Sequence, residues 1–116
     1  MITLAVDNNP AELKALCEAI KAVHPQAEII HFIDPMLAFK YSLSHEVDAL
    51  YTAVTMKRMN GCKLEKMIRE DHPNLTANFI AEDETYKAKA IQHLANSYTV
   101  KPVTADKLKT AEKEEW

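Results

Sequence analysis

Few side chains in these 116 residues are equipped for catalysis, and their spacing shortens the list further. His24, His31, His45, His72 and His93 form no H-x-x-x-H pair, and none stands near a cysteine at zinc-ligand spacing. His24 and His72 each precede a proline, which suits the end of a helix, where a cation meets the dipole favourably. Cys17 and Cys62 are isolated from one another in helix-like contexts, which predicts buried free thiols in a reducing cytoplasm rather than a disulfide. Gly61 is the single glycine, so no G-x-G-x-x-G or Walker loop exists to cradle a phosphate. No Ser-His-Asp or Cys-His arrangement can be argued, and the chain is not expected to be an enzyme. What remains is Asp7 beside Asn8 and Asn9, the run Glu82-Asp83-Glu84, the hydroxyls of Thr52 and Thr55, and Lys101 before Pro102.

The elements that must position these residues follow from the apolar pattern, which alternates five times between strand-like and helix-like runs. Ile2 to Val6 reads as a buried strand ending at Asp7-Asn8-Asn9-Pro10. Asn9 is placed to cap a helix, with Pro10 at its first position and Glu12 three residues after the cap. Leu13, Leu16, Ile20 and Val23 continue at helical spacing until His24-Pro25. Glu28 to Phe32 is a second strand, and Asp34-Pro35 starts a helix reaching about Leu43. Ala49 to Val54, poor in charge, reads as the central strand. Asn60-Gly61 turns into a helix from about Cys62 to Glu70. Ala77 to Ala81 is a fourth strand, followed by a helix from about Thr85 to Leu94. Tyr98 to Val100 is a short fifth strand, and Thr104 caps a last helix running toward Trp116.

Strands alternating with helices predict an α/β fold: a doubly wound parallel sheet of the flavodoxin-like (βα)₅ kind, in the order 2-1-3-4-5. The length suits one domain over residues 1–116. Ligands of such sheets gather outside the carboxyl ends of the strands, which singles out Asp7 to Asn9, Ala53 to Thr55, Ala81 to Asp83, and Lys101. A formal charge of −3 argues against a nucleic-acid surface. No run approaches the roughly 18 to 20 apolar residues of a membrane span, and no signal peptide is evident at the start. A cytoplasmic protein is expected.

Four segments, each at a strand end, resemble the receiver domain of two-component response regulators. Leu4-Ala5-Val6-Asp7-Asn8 resembles its first strand with a terminal acidic pair. Asp48 through Gly61 resembles the phosphoacceptor strand and its loop, with Met59-Asn60-Gly61 matching the closing Met-x-Gly. Phe79-Ile80-Ala81-Glu82 takes the place of the strand that ends in a switch hydroxyl. Tyr98-Thr99-Val100-Lys101-Pro102 resembles the closing aromatic and Lys-Pro turn. The spacing from Ala81 to Lys101 and the Asp83-Glu84 helix start are most similar to receivers of LytTR-type regulators.

The departures carry as much information as the matches. The resemblance implies an aspartate acceptor at residue 53, which here is Ala53, a methyl group with no nucleophilic oxygen. The second acid of the pair, a metal ligand in the family, is Asn8; the switch hydroxyl is Ala81; Lys57 replaces a proline. Asp7, Asn8 and Thr55 then form a vestigial acidic pocket, in which Asp7 is expected to pair permanently with Lys101 in a formally neutral site. One carboxylate and an amide give Mg²⁺ little reason to shed water, so neither metal nor cofactor is expected. Tyr98, with Ala81 leaving room beneath it, is expected to stay inward. Strand alternation points Thr52 away from the face that Ala53 addresses.

The function implied is a phosphorylation-independent, protein-binding receiver-like module, a pseudo-receiver. The family contacts partners through the fourth helix, fifth strand and fifth helix, roughly Tyr86 to Lys109 here, and a homodimer through that face is possible. Two alternatives stand beside it. One is a Mg²⁺-dependent receiver with an unconventional acceptor such as Thr55; the other is a small-molecule-binding flavodoxin-like domain with a ligand near Ala53 and Ala81.

Overall fold

A computed structural model of the chain describes residues 1–92 and 95–114. Its strands are β1 (Ile2–Val6), β2 (Glu28–Phe32), β3 (Ala49–Ala53), β4 (Thr76–Ala81) and β5 (Ser97–Val100). They form one parallel sheet in the order β2-β1-β3-β4-β5. The helices are α1 (Pro10–Val23), α2 (Pro35–Ser42), α3 (Gly61–Asp71), α4 (Lys87–Gln92) and α5 (Ala105–Lys113), with a 3₁₀ turn at Glu84–Tyr86 leading into α4. The expected element order and strand order are both found. The end of the fourth helix at Leu94, the ring of His93 and the chain end at Trp116 lie outside the described residues.

The sheet's two faces divide by the period of two. Leu4, Val6 and Leu50 pack under α2 and α3 with Leu64 and Ile68. Ala5, Tyr51 and Ile80 pack under α1 and α5 with Leu16, Ile20 and Leu108. β3 is buried along its whole length, as a central parallel strand covered on both faces must be. Burying each of these larger aliphatic side chains contributes roughly 1.5–3 kcal/mol.

Caps fix where each helix begins. Asn9, Asp34, Asn60 and Thr104 each accept a backbone N–H of the first turn through a side-chain oxygen, which satisfies donors the helix leaves open. The reciprocal half of a capping box at Asn9 is not formed. Asp7 Oδ1 accepts the Asn9 N–H at 2.9 Å, and the Glu12 carboxylate turns instead to Lys101. His24 and His72 end α1 and α3 as expected. Their rings do more than meet a dipole: His24 Nε2 lies 2.7 Å from Glu112 Oε1 on α5, and His72 Nε2 lies 2.7 Å from Ser42 O at the end of α2.

Candidate functional site at the carboxyl ends of the strands

The residues that meet here are chosen by parity. Counting by twos from the α1/α5 face places Asp7 after Ala5, Ala53 after Tyr51, Glu82 after Ile80, and Lys101 after Thr99 on that same face. Side chains from β1, β4 and β5 therefore converge just beyond the tip of β3. Glu12, in the first turn of α1, closes the group from above.

Lys101 is its centre. Its ammonium lies 3.1 Å from Asp7 Oδ2 and 3.3 Å from Glu82 Oε1, and it bonds Glu12 Oε2. The lysine side chain is only 11% exposed and Asp7 only 4%, so these two form a largely desolvated pair, which Glu12 and Glu82 reach from the solvent side, 41% and 66% exposed. Burial alone would lower the Lys101 pKa. Hydrogen bonds to Glu12 and Asp7, the Asp7 charge and the Glu82 hydrogen bond outweigh burial and hold it above the usual lysine range. The Asp7–Lys101 pairing is present, but the formally neutral pocket is not. Three carboxylates face one ammonium, a formal charge of −2. The sequence hid Glu12 behind its capping pattern and Glu82 behind its charged neighbours, although the parity of Glu82 with Ile80 was readable.

The other expected pocket members lie elsewhere. Asn8 does not face Lys101: its Nδ2 donates to Ile33 O at 2.7 Å and its Oδ1 accepts the Lys57 N–H. It thereby staples three loops together. Thr55 is exposed and lines a separate crevice with Val54, Asn60, Cys62 and Tyr86. Thr52 points to the α3 side, its Cγ2 next to Gly61. Arg58 adopts φ 72° and reaches Asp34 Oδ2 at 3.3 Å.

Ala53 is the last residue of β3 and is 1% exposed. Gly61 packs directly on its carbonyl. Tyr98 is buried among Val54, Cys62, Phe79, Ala81 and Ala90, with its hydroxyl donating to Asp83 O at 2.6 Å. It is inward, in the space that Ala81 leaves. Burial raises the Tyr98 pKa and also those of the Cys17 and Cys62 thiols, both free. Cys17 is only half-buried, less enclosed than the sequence suggested.

A receiver-type site would call for Mg²⁺, and the residues present do not fit it. Asp7 Oδ1 is taken by the Asn9 N–H and Oδ2 by Lys101, Asn8 Oδ1 by Lys57, and the Ala53 side chain offers no oxygen. A hard cation needing six oxygens would first have to expel the tethered ammonium. Among the described residues no three His, Cys, Asp or Glu side chains are arranged as a metal site.

Comparison with known proteins agrees with this architecture. A sequence model described as response regulator receiver domain matches residues 3–113. The REC domain of AraT, a response regulator from Geobacillus stearothermophilus, is 28% identical, with TM-score 0.82 over 94% of this chain and 87% of that one. The signal receiver domain of an HD domain-containing protein from Pseudomonas fluorescens Pf-5 is 26% identical, with TM-score 0.80 over 95% of this chain and 89% of that one. The response regulatory domain of mrkE from Klebsiella pneumoniae, 20% identical, shares the fold at TM-score 0.84 over 97% and 93% of the two chains. No curated protein matches the chain.

Proposed function

The chain belongs to the response regulator receiver domain family, and from that premise we propose that it is a receiver whose signalling bypasses an aspartyl phosphate. Receiver domains are signalling modules of two-component systems and meet other proteins there; that coarse role belongs to this chain. The finer reading is a pseudo-receiver, non-catalytic, that presents one resting surface to a protein partner. The observation that carries it is the buried methyl group of Ala53 at the tip of β3, where the family resemblance asks for a nucleophilic carboxylate. The engagement of Lys101 by three carboxylates supports it, because a lysine so held is not free to meet an incoming phosphoryl oxygen.

The surface formed by α4, β5 and α5 is the proposed contact face, with a second copy or another protein as its occupant. The resemblance to LytTR-type regulators rests on the Ala81-to-Lys101 spacing and remains part of the proposal. None of the described helices is long and apolar enough to cross a membrane, and we place the domain in the cytoplasm with the signalling machinery. Incubation with acetyl phosphate and Mg²⁺ tests the central point. The intact mass of the chain is expected to stay unchanged. A gain of one phosphate, on Thr55 or elsewhere, would overturn the reading.

A further inference from the structure

The junction between β4 and the 3₁₀ turn is tied to the end of β5 at three consecutive residues. The Lys101 N–H donates to Ala81 O at 2.8 Å, the Lys101 ammonium lies 3.3 Å from Glu82 Oε1, and the Tyr98 hydroxyl donates to Asp83 O at 2.6 Å. The middle tie differs in kind from its neighbours. It is ionic, its carboxylate is otherwise exposed, and it extends through the same ammonium to Asp7 on β1 and Glu12 on α1.

We propose that Lys101, Glu12 and Glu82 form an ionic strap that fixes the β4–α4 junction and so keeps Tyr98 inward. Lys101 acts as a tethered counter-cation shared by three elements. Without it the Asp7 carboxylate would be buried among like charges. With it, residue 82 is tethered toward β5 beside the Lys101 N–H to Ala81 O bond, and the Asp83 carbonyl is held where the Tyr98 hydroxyl needs it. Glu12 and Glu82 are positioning residues in this account. They act through Lys101. A basic group on a partner that competed for Glu82 or Glu12 would loosen the strap, which gives the domain a means of regulation that needs no phosphoryl chemistry. The strap deepens the phosphorylation-independent reading and rests on it for its purpose.

Isotope-labelled tyrosine in the full chain, with the Tyr98 resonance assigned from Tyr98→Phe, tests the strap by NMR. The wild-type protein is expected to give one sharp Tyr98 ring signal. Glu12→Gln/Glu82→Gln, which changes two partly exposed side chains, is expected to shift that signal and broaden it by microsecond-to-millisecond exchange. Tyr41, on α2, is expected to stay unchanged. Lys101→Met should show the same change more strongly where it folds, and the double variant decides alone where it does not. A Tyr98 signal identical to wild type in the double variant would overturn the proposal. Equal broadening at Tyr41 would do so too, because the charges would then serve global stability. Uptake of phosphate in the mass experiment would defeat the functional reading and leave these spectra as they are, so the two failures are distinguishable.

Discussion

Ala53→Asp is expected to unfold about 8 °C below the wild-type protein at pH 7, a loss of about 2 kcal/mol. The position is buried and lies on the sheet face that already carries Asp7, Glu82 and the shared ammonium of Lys101. A fourth carboxylate would divide one lysine among four acids, in a space packed for a methyl group. Competition for Lys101 returns some Coulomb energy, but desolvation and like-charge repulsion disfavour the ionised form and raise the new carboxyl's pKa. The sign then follows from linkage. A group whose folded pKa is raised binds its proton more tightly in the native state. The charge-dependent part of the deficit is therefore absent below the unfolded value near 3.9 and grows as pH rises through the folded value, while the part due to overfilling the methyl-sized space persists at every pH. Melting curves of both proteins at pH 4 and pH 7 check this. An unchanged or higher Tm at pH 7 would mean that the resting pocket is open enough to solvate the new charge.

Gly61→Ala is expected to cost more, about 3 kcal/mol and about 12 °C in Tm. A Cβ at this position would sit 2.3 Å from the Ala53 carbonyl oxygen, 3.1 Å from its carbon and 3.0 Å from Thr52 Cγ2. The principal clash is with main chain, so no rotamer change relieves it. The Gly61 N–H also donates to Val54 O at 2.8 Å, which means the helix cannot retreat without losing a bond between α3 and the β3 tip. Glycine is required here by close approach. Its backbone angle is one that any residue adopts. A Tm within a few degrees of wild type would show that α3 can move off β3, and the placement of residue 53 would need revision.

The sheet was legible because the central strands are apolar and their helices begin with strong caps. Asn9, Asp34 and Thr104 mark helix starts in the sequence and do so in the fold. Boundaries shifted by about a residue at several ends: β3 stops at Ala53 rather than Val54, α2 at Ser42 rather than Leu43, α3 spans Gly61–Asp71 rather than Cys62 to Glu70, and the fourth helix opens as a 3₁₀ turn at Glu84–Tyr86. β4 begins one residue early at Thr76 and β5 at Ser97, because pairing with their neighbours extends them. The site was only partly legible. Asp7, Ala53 and Lys101 could be placed because each stands at the carboxyl end of a strand, where position in the sheet dictates position in space, and Tyr98 because it lies within β5, paired with Phe79. Asn8 and Thr55 were assigned to the pocket by resemblance. Asn8 instead finds backbone partners in two neighbouring loops, and Thr55 falls beyond the strand, where alternation no longer governs direction. Glu12 could not be chosen between two uses, since its spacing from Asn9 serves a capping box equally well. Only the reach of the Lys101 side chain to the first turn of α1 decides in favour of Lys101.

The most direct test of an inert, self-satisfied site is a crystal structure of the domain grown with Mg²⁺ and beryllium fluoride, a mimic of a phosphoryl group on a carboxylate. Lys101 is expected to be still seated on Asp7, Glu12 and Glu82, with Tyr98 inward and no metal bridging Asp7. A cation coordinated by Asp7, with fluoride ligands drawing Lys101 away from the acids, would contradict it.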